Sequence, residues 1–411
     1  MRAAGIITEY NPFHNGHMHH IREALRLSEC DCLICVMSGN FVQRGEPAIF
    51  DKFLRAGTAL SCGVNIVVEL PVRFSVSSGE NFAKGAVDIL SVLNADTLVF
   101  GSEFADPHSF SVMENIARLL SDEPDEYKSF LREELSRGSS FPKAREYALT
   151  RYFSIHNDAT DSKTMSKILK SPNCILSIEY MKAVKKSNCG IKPMAVQRTL
   201  DNYNDISITE YASATALRHA IREGKDISSL LSPDITDAMS EFGRLYPIFA
   251  QDMTHLLNYR LATLINESVP LDAFLDIDTK LANRIVRNFT GTLSFEELIY
   301  SLKTKDVTYA KISRALTHIL LGIRNDIPDE CGYIRLLGLD STGRKYLNNI
   351  KKSTSIPIIT KTADAARVLD SSWIKTFSQD IFASDIYNQL LFTKYGIAQK
   401  SDYKTSPIIK F

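Results

Sequence analysis

Residues 10–17 of the chain are Tyr10-Asn11-Pro12-Phe13-His14-Asn15-Gly16-His17, and this stretch decides the expected fold. The apolar run before it, residues 3–7, has the length of a buried strand. Residues 18–27 after it carry apolar side chains at helical spacing. A strand therefore enters a tight turn and then a helix, with two histidines at the junction. Because free N–H groups at a helix N-terminus attract anions, His14 and His17 lie where a phosphate group would bind.

The same strand–helix pattern continues through the first half of the chain. Helices are expected at residues 50–61 and 79–93, and further strands at residues 32–37, 65–70, 97–100 and 193–198. Such spacing is typical of βαβ units and a parallel sheet, whose ligands bind beyond the carboxyl ends of the strands. We therefore expect one site to collect residues at those ends: His14, His17, Gly39, Asn40, Gly101 and Ser102.

The region between the fourth and fifth strands is expected to be helical over residues 108–155 and then to form a basic loop over residues 163–172. Asn173 is a suitable N-cap for a helix over residues 175–184. Within the loop, Thr164-Met165-Ser166-Lys167 is similar to the lysine loop of class I aminoacyl-tRNA synthetases. The tetrapeptide precedes the fifth strand, however, which favours a chance match over a catalytic loop.

The second half is mostly helical and carries no chemical motif of its own. Its helices are expected at residues 234–242, 248–265, 279–289, 295–302, 309–321 and 384–392, with strands at 333–337 and 356–360. The predicted fold is therefore α/β: a Rossmann-like parallel-sheet domain over residues 1–225, followed by a mostly α-helical domain over residues 226–411, which we interpret as a recognition domain.

Charge does not point to a partner. Lys+Arg and Asp+Glu each number 48 in the 411 residues, so no global attraction to nucleic acid or to a membrane surface follows. Two local windows are basic: residues 151–198, with nine basic and three acidic residues, and residues 341–361, with five basic and no acidic ones. Each window fits a phosphate-facing patch, but also an ordinary solvated face.

The seven cysteines favour a reducing, cytoplasmic location, because they are odd in number and scattered through a long chain. Cys30, Cys32 and Cys35 are clustered, yet Cys32 and Cys35 would face opposite sides of a strand, so we expect no metal site. No signal peptide is expected, since Met1-Arg2 leads straight into a short strand. No apolar run has the length of a membrane span.

The chain lacks both the G-x-x-x-x-G-K-[ST] phosphate loop and the G-x-G-x-x-G dinucleotide fingerprint. What it has is His14-Asn15-Gly16-His17, the H-x-G-H form found in HIGH-motif nucleotidyltransferases, in which a nucleophile attacks the α-phosphate of ATP. Two buried structural histidines would also fit these four residues alone. The position of the two histidines, after the first strand and at a helix start, favours the nucleotide site. A later hydroxyl-rich turn also favours it, because it resembles the second phosphate-binding signature of that class: Ser213-Ala214-Thr215-Ala216-Leu217-Arg218.

Within this class the chain resembles the bacterial tRNA(Met) cytidine acetate ligases. The resemblance covers about the first 220 residues in order, and its second block is specific to the family. The motifs that carry it are residues 8–17, residues 36–49, Val68-Glu69-Leu70-Pro71, Phe100-Gly101-Ser102-Glu103, Ser171-Pro172-Asn173 with Ile175-Leu176, and residues 213–218.

The resemblance implies an ATP-dependent ligase that forms acetyl-adenylate from acetate and passes the acetyl group to N4 of the wobble cytidine of elongator tRNA(Met). His14 and His17 would be catalytic, with Ser213, Thr215 and Arg218 as further phosphate contacts. The substrates are ATP, with Mg²⁺, and acetate, and neither a membrane nor a stable protein partner is expected. The implied ATP-binding residues are Ile7, Thr8, Glu9, Tyr10, Asn11, Pro12, Phe13, His14, Asn15, Gly16, His17, Met18, His19, His20, Gly101, Asn173 and Arg198.

Two points stay open at this stage. The family usually has a second asparagine and a glycine near Asn173, whereas here Cys174 follows Asn173 and Ser177 follows Leu176. The alternative functions are a small-molecule adenylyltransferase of the same superfamily and a non-catalytic RNA-binding protein. The basic windows would hold the tRNA backbone in the ligase interpretation.

Overall fold

A mostly parallel sheet with helices on both faces forms the centre of the fold in this computed structural model, which describes residues 1–156, 160–198, 213–305, 307–326 and 328–411. The strands are β1 Ala3–Thr8, β2 Cys32–Ser38, β3 Phe41–Val42, β4 Glu46–Pro47, β5 Ile66–Leu70, β6 Thr97–Ser102, β7 Lys192–Gln197, β8 Ile334–Leu339, β9 Ile358–Ile359 and β10 Ile408–Ile409.

Helices fill most of the remaining chain, and none of those described is long and apolar enough to cross a membrane. They are α1 Asn15–Ser28, α2 Lys52–Ser61, α3 Val72–Ser75, α4 Gly79–Val92, α5 Pro107–Asp122, α6 Asp125–Ser136, α7 Phe141–Ile155, α8 Ser162–Lys170, α9 Pro172–Ser187, α10 Ala214–Arg222, α11 Pro233–Glu241, α12 Thr254–Asn266, α13 Thr279–Asn288, α14 Phe295–Leu302, α15 Tyr309–Leu321, α16 Ser341–Ile350, α17 Ala365–Val368 and α18 Ser371–Tyr395, with short 3-10 helices at Ser228–Leu230, Ala250–Met253, Leu271–Ala273, Thr362–Asp364 and Asp402–Lys404.

The main sheet has the strand order β10-β8-β5-β2-β1-β6-β7, with β9 beside β8, and the five strands predicted in the first half are all present. Every pair is parallel except β5 and β8. The order changes direction between β1 and β6, since β2 and β5 follow on one side and β6 and β7 on the other. This switch point is where α/β sheets bind ligands, and it places the end of β1 at the centre.

Two apolar cores cover the two faces of the sheet. One joins α4, α5, α9 and α16 to side chains such as Cys32 and Ile34, and the other joins α1, α2, α10 and α11 to Leu33 and Cys35. Side chains alternate between the faces of a strand, so Cys32 and Cys35 lie on opposite sides. The prediction that these cysteines are small buried strand residues is confirmed.

The second half packs mainly as helices around a third core, formed by α12–α15 and α18. Its two predicted strands are present as β8 and β9, and β8 joins the main sheet beside β5. Lys52 Nζ on α2 is buried there and contacts Glu69 at 2.9 Å and Asp402 at 2.8 Å, and Arg335 on β8 contacts the same two carboxylates. The division near residue 225 stays a prediction, and the two parts share one sheet and one buried charge network.

Two predicted segments differ in the structure. The prediction of a basic loop over residues 163–172 is wrong, because this segment contains the helix α8. Asp161 caps the helix by accepting hydrogen bonds from the N–H groups of Lys163 and Thr164, and Met165 and Ile168 are buried one turn apart. The final helix is α18, far longer than residues 384–392, because Asp370 caps its start and its C-cap Gly396 adopts the left-handed conformation.

The hydroxyl-rich turn over residues 213–218 forms the start of the helix α10. Ser213 is its N-cap, and the Ser213 side chain accepts a hydrogen bond from the N–H of Ala216. Asn173, by contrast, is not the cap of its helix. α9 begins at Pro172, which suits the first position of a helix, so Asn173 lies within the first turn.

Candidate active site

A cavity of about 450 Å³ opens at the carboxyl ends of β1, β6 and β7, at the point where the strand order changes direction. The loop after β1, the first turn of α1, the start of α9 and the first turn of α10 surround it. The predicted site residues that line it are Ile7, Thr8, Glu9, Tyr10, Asn11, His14, Gly16, His17, His19, His20, Gly101, Asn173, Arg198, Ser213, Thr215 and Arg218.

His14 and His17 form a stacked pair at the N-terminus of α1. Their ring centroids are 3.8 Å apart with an angle of 29° between the ring planes. The Nδ1 atom of His14 accepts a hydrogen bond from the N–H of Gly16, and the Nδ1 atom of His17 accepts one from the N–H of His14. Two otherwise unpaired backbone donors of the helix start are thus satisfied by the catalytic candidates themselves.

These hydrogen bonds fix the protonation of both rings. A neutral imidazole whose Nδ1 accepts must carry its proton on Nε2, so each ring keeps an N–H donor for a ligand. Burial lowers the pKa of His14 to about 3, with Arg198 and Arg218 adding to the effect, and burial also lowers the pKa of His17 well below its usual value. Both rings are therefore neutral donors at physiological pH in the ligand-free protein.

Aromatic packing holds the His17 ring in place. The centroid of Tyr10 lies 4.9 Å from that of His17 in an edge-on arrangement, and the centroid of Phe13 lies 5.6 Å away. Both aromatic residues are buried. The loop after β1 therefore fixes the orientation of the second histidine as well as its position in the chain.

Arg198 approaches the cavity from the end of β7. Its N–H donates to the carbonyl of Ser102, and its side chain crosses Gly101, where a Cβ atom would come 3.2 Å from the Cγ atom of Arg198. The absence of a side chain at Gly101 lets the arginine lie across the end of β6. Its guanidinium faces the same cavity as the two histidines.

Asn173 is held by Glu103 from the end of β6. The carboxylate of Glu103 accepts from the side chain of Asn173 at 2.7 Å, from its N–H at 3.1 Å and from the N–H of Cys174 at 2.9 Å. Burial acts to raise the pKa of Glu103, but these hydrogen bonds lower it. Glu103 therefore caps α9 in place of a residue within the helix, and it presents Asn173 to the cavity.

The departures from the family pattern lie behind the site. Cys174 is buried in the core with its Sγ atom 3.2 Å from the Oγ atom of Ser102, and the Ser177 hydroxyl donates to the carbonyl of Asn173. Cys174 and Ser177 are absent from the cavity wall, within the described chain. Asn173, the position that matches the family, therefore still lines the cavity.

The turn at the start of α10 closes one side of the cavity. Arg218 donates from Nη1 to the carbonyl of Asn11 at 2.7 Å and from Nη2 to the hydroxyl of Thr215 at 3.0 Å. The arginine thus ties the helix α10 to the loop that carries the histidines. Ser213, Thr215 and Arg218 all line the cavity, as a second phosphate-binding turn would require.

Several residues expected at the site serve the fold instead. Gly39, Asn40 and Ser102 do not line the cavity: the Oδ1 atom of Asn40 accepts from the N–H of Lys52, the Gly39 carbonyl accepts from Arg55, and Ser102 bonds to Phe104. The expectation that one cavity collects them with the histidines is wrong, because their polar groups are used to fix the ends of strands.

Four residues of the segment 7–20 also lie behind the wall of the cavity: Pro12, Phe13, Asn15 and Met18. Phe13 and Met18 belong to a core, and Asn15 binds the backbone at residues 230 and 232. The ATP-binding set as a whole stays a prediction.

Sequence reasoning missed part of the wall. The hairpin formed by β3 and β4 contributes Gln43, Arg44 and Glu46, and α4 and α9 contribute Phe82 and Tyr180. The sequence did mark this segment, because residues 36–49 form the block that is specific to the family, but no chemical role could be assigned to its residues.

Within the described ranges, no group of three or more His, Cys, Asp or Glu side chains is arranged to hold a metal ion.

The two basic windows lie in different places. The helix α8, with exposed Lys167 and Lys170, ends directly before the cavity residues Pro172 and Asn173. In the window 341–361, α16 binds through Tyr346 to the carbonyls of residues 93 and 94, which precede β6. Residues 341–353 of that window therefore lie at the opposite end of the strands, about 20 Å from the cavity for a six-residue strand.

The fold and the paired histidines define a class of nucleotide-binding enzyme, and comparison with known proteins agrees. The chain matches the model of the HIGH nucleotidyl transferase family over residues 1–402. Among solved structures it is similar to Thermotoga maritima TmcAL in its apo form, with a TM-score of 0.89 and 32% identity, and to the same protein bound with alpha-thio ATP, with a TM-score of 0.87 and 31% identity. Each comparison covers 100% of this chain and 99% of the other.

Curated relatives narrow the assignment. The chain is 39% identical over 422 residues to the tRNA(Met) cytidine acetate ligase of Caldanaerobacter subterraneus subsp. tengcongensis, with 100% of both chains covered. It is 37% identical over 422 residues to the protein of the same name from Clostridium novyi, with 99% of both covered. The chain belongs to the tRNA(Met) cytidine acetate ligase family of the HIGH nucleotidyl transferases.

Proposed function

We propose that the protein is an ATP-dependent acetate ligase that makes acetyl-adenylate and transfers the acetyl group to N4 of the wobble cytidine of elongator tRNA(Met). The observation that carries the proposal is the stacked pair His14 and His17, whose Nε2 donors lie at a helix N-terminus in a cavity that also holds Arg198 and Arg218. The names of the relatives supply the acceptor. As a tRNA-modifying enzyme, it would act in the cytoplasm.

In the first step, a carboxylate oxygen of acetate attacks the α-phosphorus of ATP, and the bond to the bridging oxygen of pyrophosphate breaks. Negative charge moves onto the leaving pyrophosphate. The two imidazole N–H groups would donate to phosphate oxygens as this charge develops, and each such donor contributes on the order of 2–4 kcal/mol. The dipole of α1 adds partial positive charge at the same place. Positioning and charge stabilisation therefore account for the catalysis.

Arginines supply the remaining positive charge. Arg198, across Gly101, and Arg218, beside Thr215, approach the cavity from opposite sides of the switch point. Mg²⁺ would accompany the triphosphate, and phosphate oxygens and water would provide most of its ligands, as is common for this ion. The product is a mixed anhydride, an acyl donor strong enough for a weakly nucleophilic cytosine amine.

The test is ATP–pyrophosphate exchange with and without acetate, followed by analysis of modified nucleosides in tRNA(Met) incubated with ATP and labelled acetate. We expect exchange to require acetate and the label to appear as N4-acetylcytidine. Exchange that requires a phosphorylated small molecule instead would identify a small-molecule adenylyltransferase. Binding of tRNA without exchange under any condition would identify a non-catalytic RNA-binding protein.

A further inference from the structure

The hairpin β3–β4 is fixed rigidly against both halves of the chain. Its turn at Gly45 has a positive φ of 76°, and a Cβ atom there would collide with the backbone of Ser313 and Arg314 on α15. The carbonyl of Gly45 accepts from the hydroxyls of Ser313 and Thr317 at 2.9 and 2.7 Å. On the other side, the N–H of Gln43 donates to Glu9 in the loop after β1. A side chain on this hairpin therefore has a defined position relative to the nucleotide site.

A second, smaller cavity of about 170 Å³ adjoins the first. It has room for roughly five or six water molecules, which suits a single pyrimidine ring rather than a nucleoside triphosphate. Three residues line both cavities and so mark the junction: Glu46, Thr215 and Arg218. We call this smaller cavity the annex.

The walls of the annex suit a base from a nucleic acid. The guanidinium carbon of Arg222 lies 5.2 Å from the ring centroid of Phe249, and both residues line the annex. Splayed-out RNA bases commonly stack on arginine planes and aromatic rings. Arg218 and Arg222 bring two guanidinium groups to the annex, which favours the adjacent phosphates of an RNA strand.

Glu46 differs from the other acidic groups of the site because its carboxylate is not engaged. In the part of the chain that the structure describes, no hydrogen bond or ion pair to the Glu46 carboxylate is formed, although Glu9 accepts from Gln43 and Glu103 accepts from Asn173. Burial raises the pKa of Glu46, while Arg218 and Arg44 act to lower it. A half-buried carboxylate at the junction of two cavities is thus free to bind a ligand.

We propose that the annex receives the acceptor cytosine and that Glu46, at its junction with the nucleotide cavity, binds the N4 amine and removes its proton during acetyl transfer. This inference rests on the proposed function and assigns the acceptor subsite and its base. N4 attacks the carbonyl carbon of acetyl-adenylate and forms the C–N bond. The bond from that carbon to the phosphate oxygen breaks, AMP leaves with the electron pair, and the N4 proton passes to the Glu46 carboxylate and then to water.

The first experiment separates the two half-reactions in Glu46→Gln, a variant of equal size. We expect acetyl transfer to tRNA(Met) to fall at least about 100-fold more than acetate-dependent ATP–pyrophosphate exchange does, as for loss of a general base that acts only in the transfer step. Glu267→Gln is the matched control: Glu267 is an exposed carboxylate at the end of α12 that lies outside both cavities, and its replacement should change neither rate.

Retained transfer in Glu46→Gln would overturn the inference, and so would an equal loss of exchange and transfer, because both outcomes place Glu46 outside the transfer step. A parent protein without acetate-dependent exchange would instead refute the proposed function, so the two failures are distinguishable. Arg222→Gln tests the annex separately, since Arg222 is half-exposed and its loss should not affect folding. We expect a higher KM for tRNA(Met) with unchanged exchange, and an unchanged KM would remove the annex from the acceptor site.

The second experiment measures base selection with anticodon stem-loop RNAs that carry cytidine or uridine at the wobble position. A carboxylate accepts from the cytidine N4 amine but opposes the uridine O4 oxygen, whereas a glutamine amide can donate to O4. We expect the parent to prefer the cytidine loop and Glu46→Gln to reduce the ratio of the two dissociation constants by about tenfold. An unchanged ratio would show that Glu46 does not contact the base.

Discussion

His14 and His17 each use one ring nitrogen to cap the helix that presents them, which leaves the other nitrogen for a ligand. The sequence pattern predicts their position after the first strand but not this division of roles. The division depends on ring stacking and on the buried side chains of Tyr10 and Phe13, and both are three-dimensional contacts. A short motif therefore specifies where a site lies, while the packing behind it specifies the protonation state.

Replacement of His17 by alanine should remove one of the two phosphate donors. We expect acetate-dependent ATP–pyrophosphate exchange to fall by about 100-fold or more, the usual effect of losing such a donor, while binding of tRNA(Met) is retained. His255→Ala, an exposed position on α12, is the control. Near-parental exchange in His17→Ala would contradict the role assigned to this histidine.

The pKa of His14, lowered by burial to about 3, has a consequence for stability. A histidine whose pKa is lower in the folded than in the unfolded protein contributes fully to the free energy of unfolding at pH values above its unfolded pKa, near 6.5. This contribution is lost as the pH falls from there toward the pKa of the folded state. In the variant His14→Asn, the asparagine side chain can still cap α1, but it has no group that titrates in this pH range. We expect the free energy of unfolding to fall less between pH 7 and pH 5 in this variant than in the parent, by about 1–2 kcal/mol.

Denaturant titrations at the two pH values would measure this difference. Equal losses of stability in His14→Asn and the parent would show that the His14 ring titrates normally in the folded protein.

At the scale of elements, periodicity predicts the helices and strands whose apolar faces pack on the sheet, and the strand bounds agree within a few residues. The prediction of a loop in place of α8 was wrong because Asp161, a cap that lies just before the basic run, sets that helix. Asn173 is of a residue type that commonly caps helices, but it lies after the start of α9. Glu103, from the end of a distant strand, caps this helix instead. Both errors arise from contacts at element ends, where local pattern carries least information.

The position of α8 leads to a prediction about tRNA binding. Lys167 and Lys170 are exposed beside the cavity, whereas Lys351 and Lys352 are exposed near the opposite end of the strands. We expect Lys167→Gln with Lys170→Gln to weaken tRNA(Met) binding and to reduce the slope of log affinity against log salt by about 1–2, as for the loss of two phosphate contacts.

The same pair of substitutions at Lys351 and Lys352 serves as the matched comparison, with the same change in net charge. A smaller change in slope is expected there, since these side chains lie away from the cavity. The opposite ranking would place the tRNA body along the window 341–361.

At the scale of the whole molecule, a buried charge network links the two halves of the chain. It consists of Lys52, Glu69, Arg335 and Asp402. Burial acts to raise the pKa of Asp402, but Lys52 and Arg335 lower it well below its usual range. Removal of one partner leaves buried charge uncompensated, so Asp402→Asn should lower the free energy of unfolding by about 3–5 kcal/mol near neutral pH. Asp326→Asn, which breaks the exposed pair with Lys375, should cost under about 1 kcal/mol.

The pH dependence supplies a second check on this prediction. Because the folded pKa of Asp402 is depressed, its contribution is present above the unfolded carboxylate pKa, near 4, and is lost as the pH falls further. The stability difference between the parent and Asp402→Asn should therefore be constant from about pH 8 to pH 5 and narrow below about pH 4. A constant difference at all pH values would mean that the pKa of Asp402 is the same in the folded and the unfolded protein.

The contact between Lys52 and Asp402 spans 350 positions of the chain, and this separation sets a delay during synthesis. At roughly 5–20 residues per second, Asp402 leaves the ribosome roughly 20–70 seconds after Lys52. Until β8 is synthesised, the strand β5 has an open edge where β8 will pair, and Lys52 lacks one of its two carboxylates for the whole delay. The nascent nucleotide-binding half is therefore exposed to aggregation and to chaperones for most of its translation, and the site at the start of the chain becomes fully supported only when the distant residues arrive.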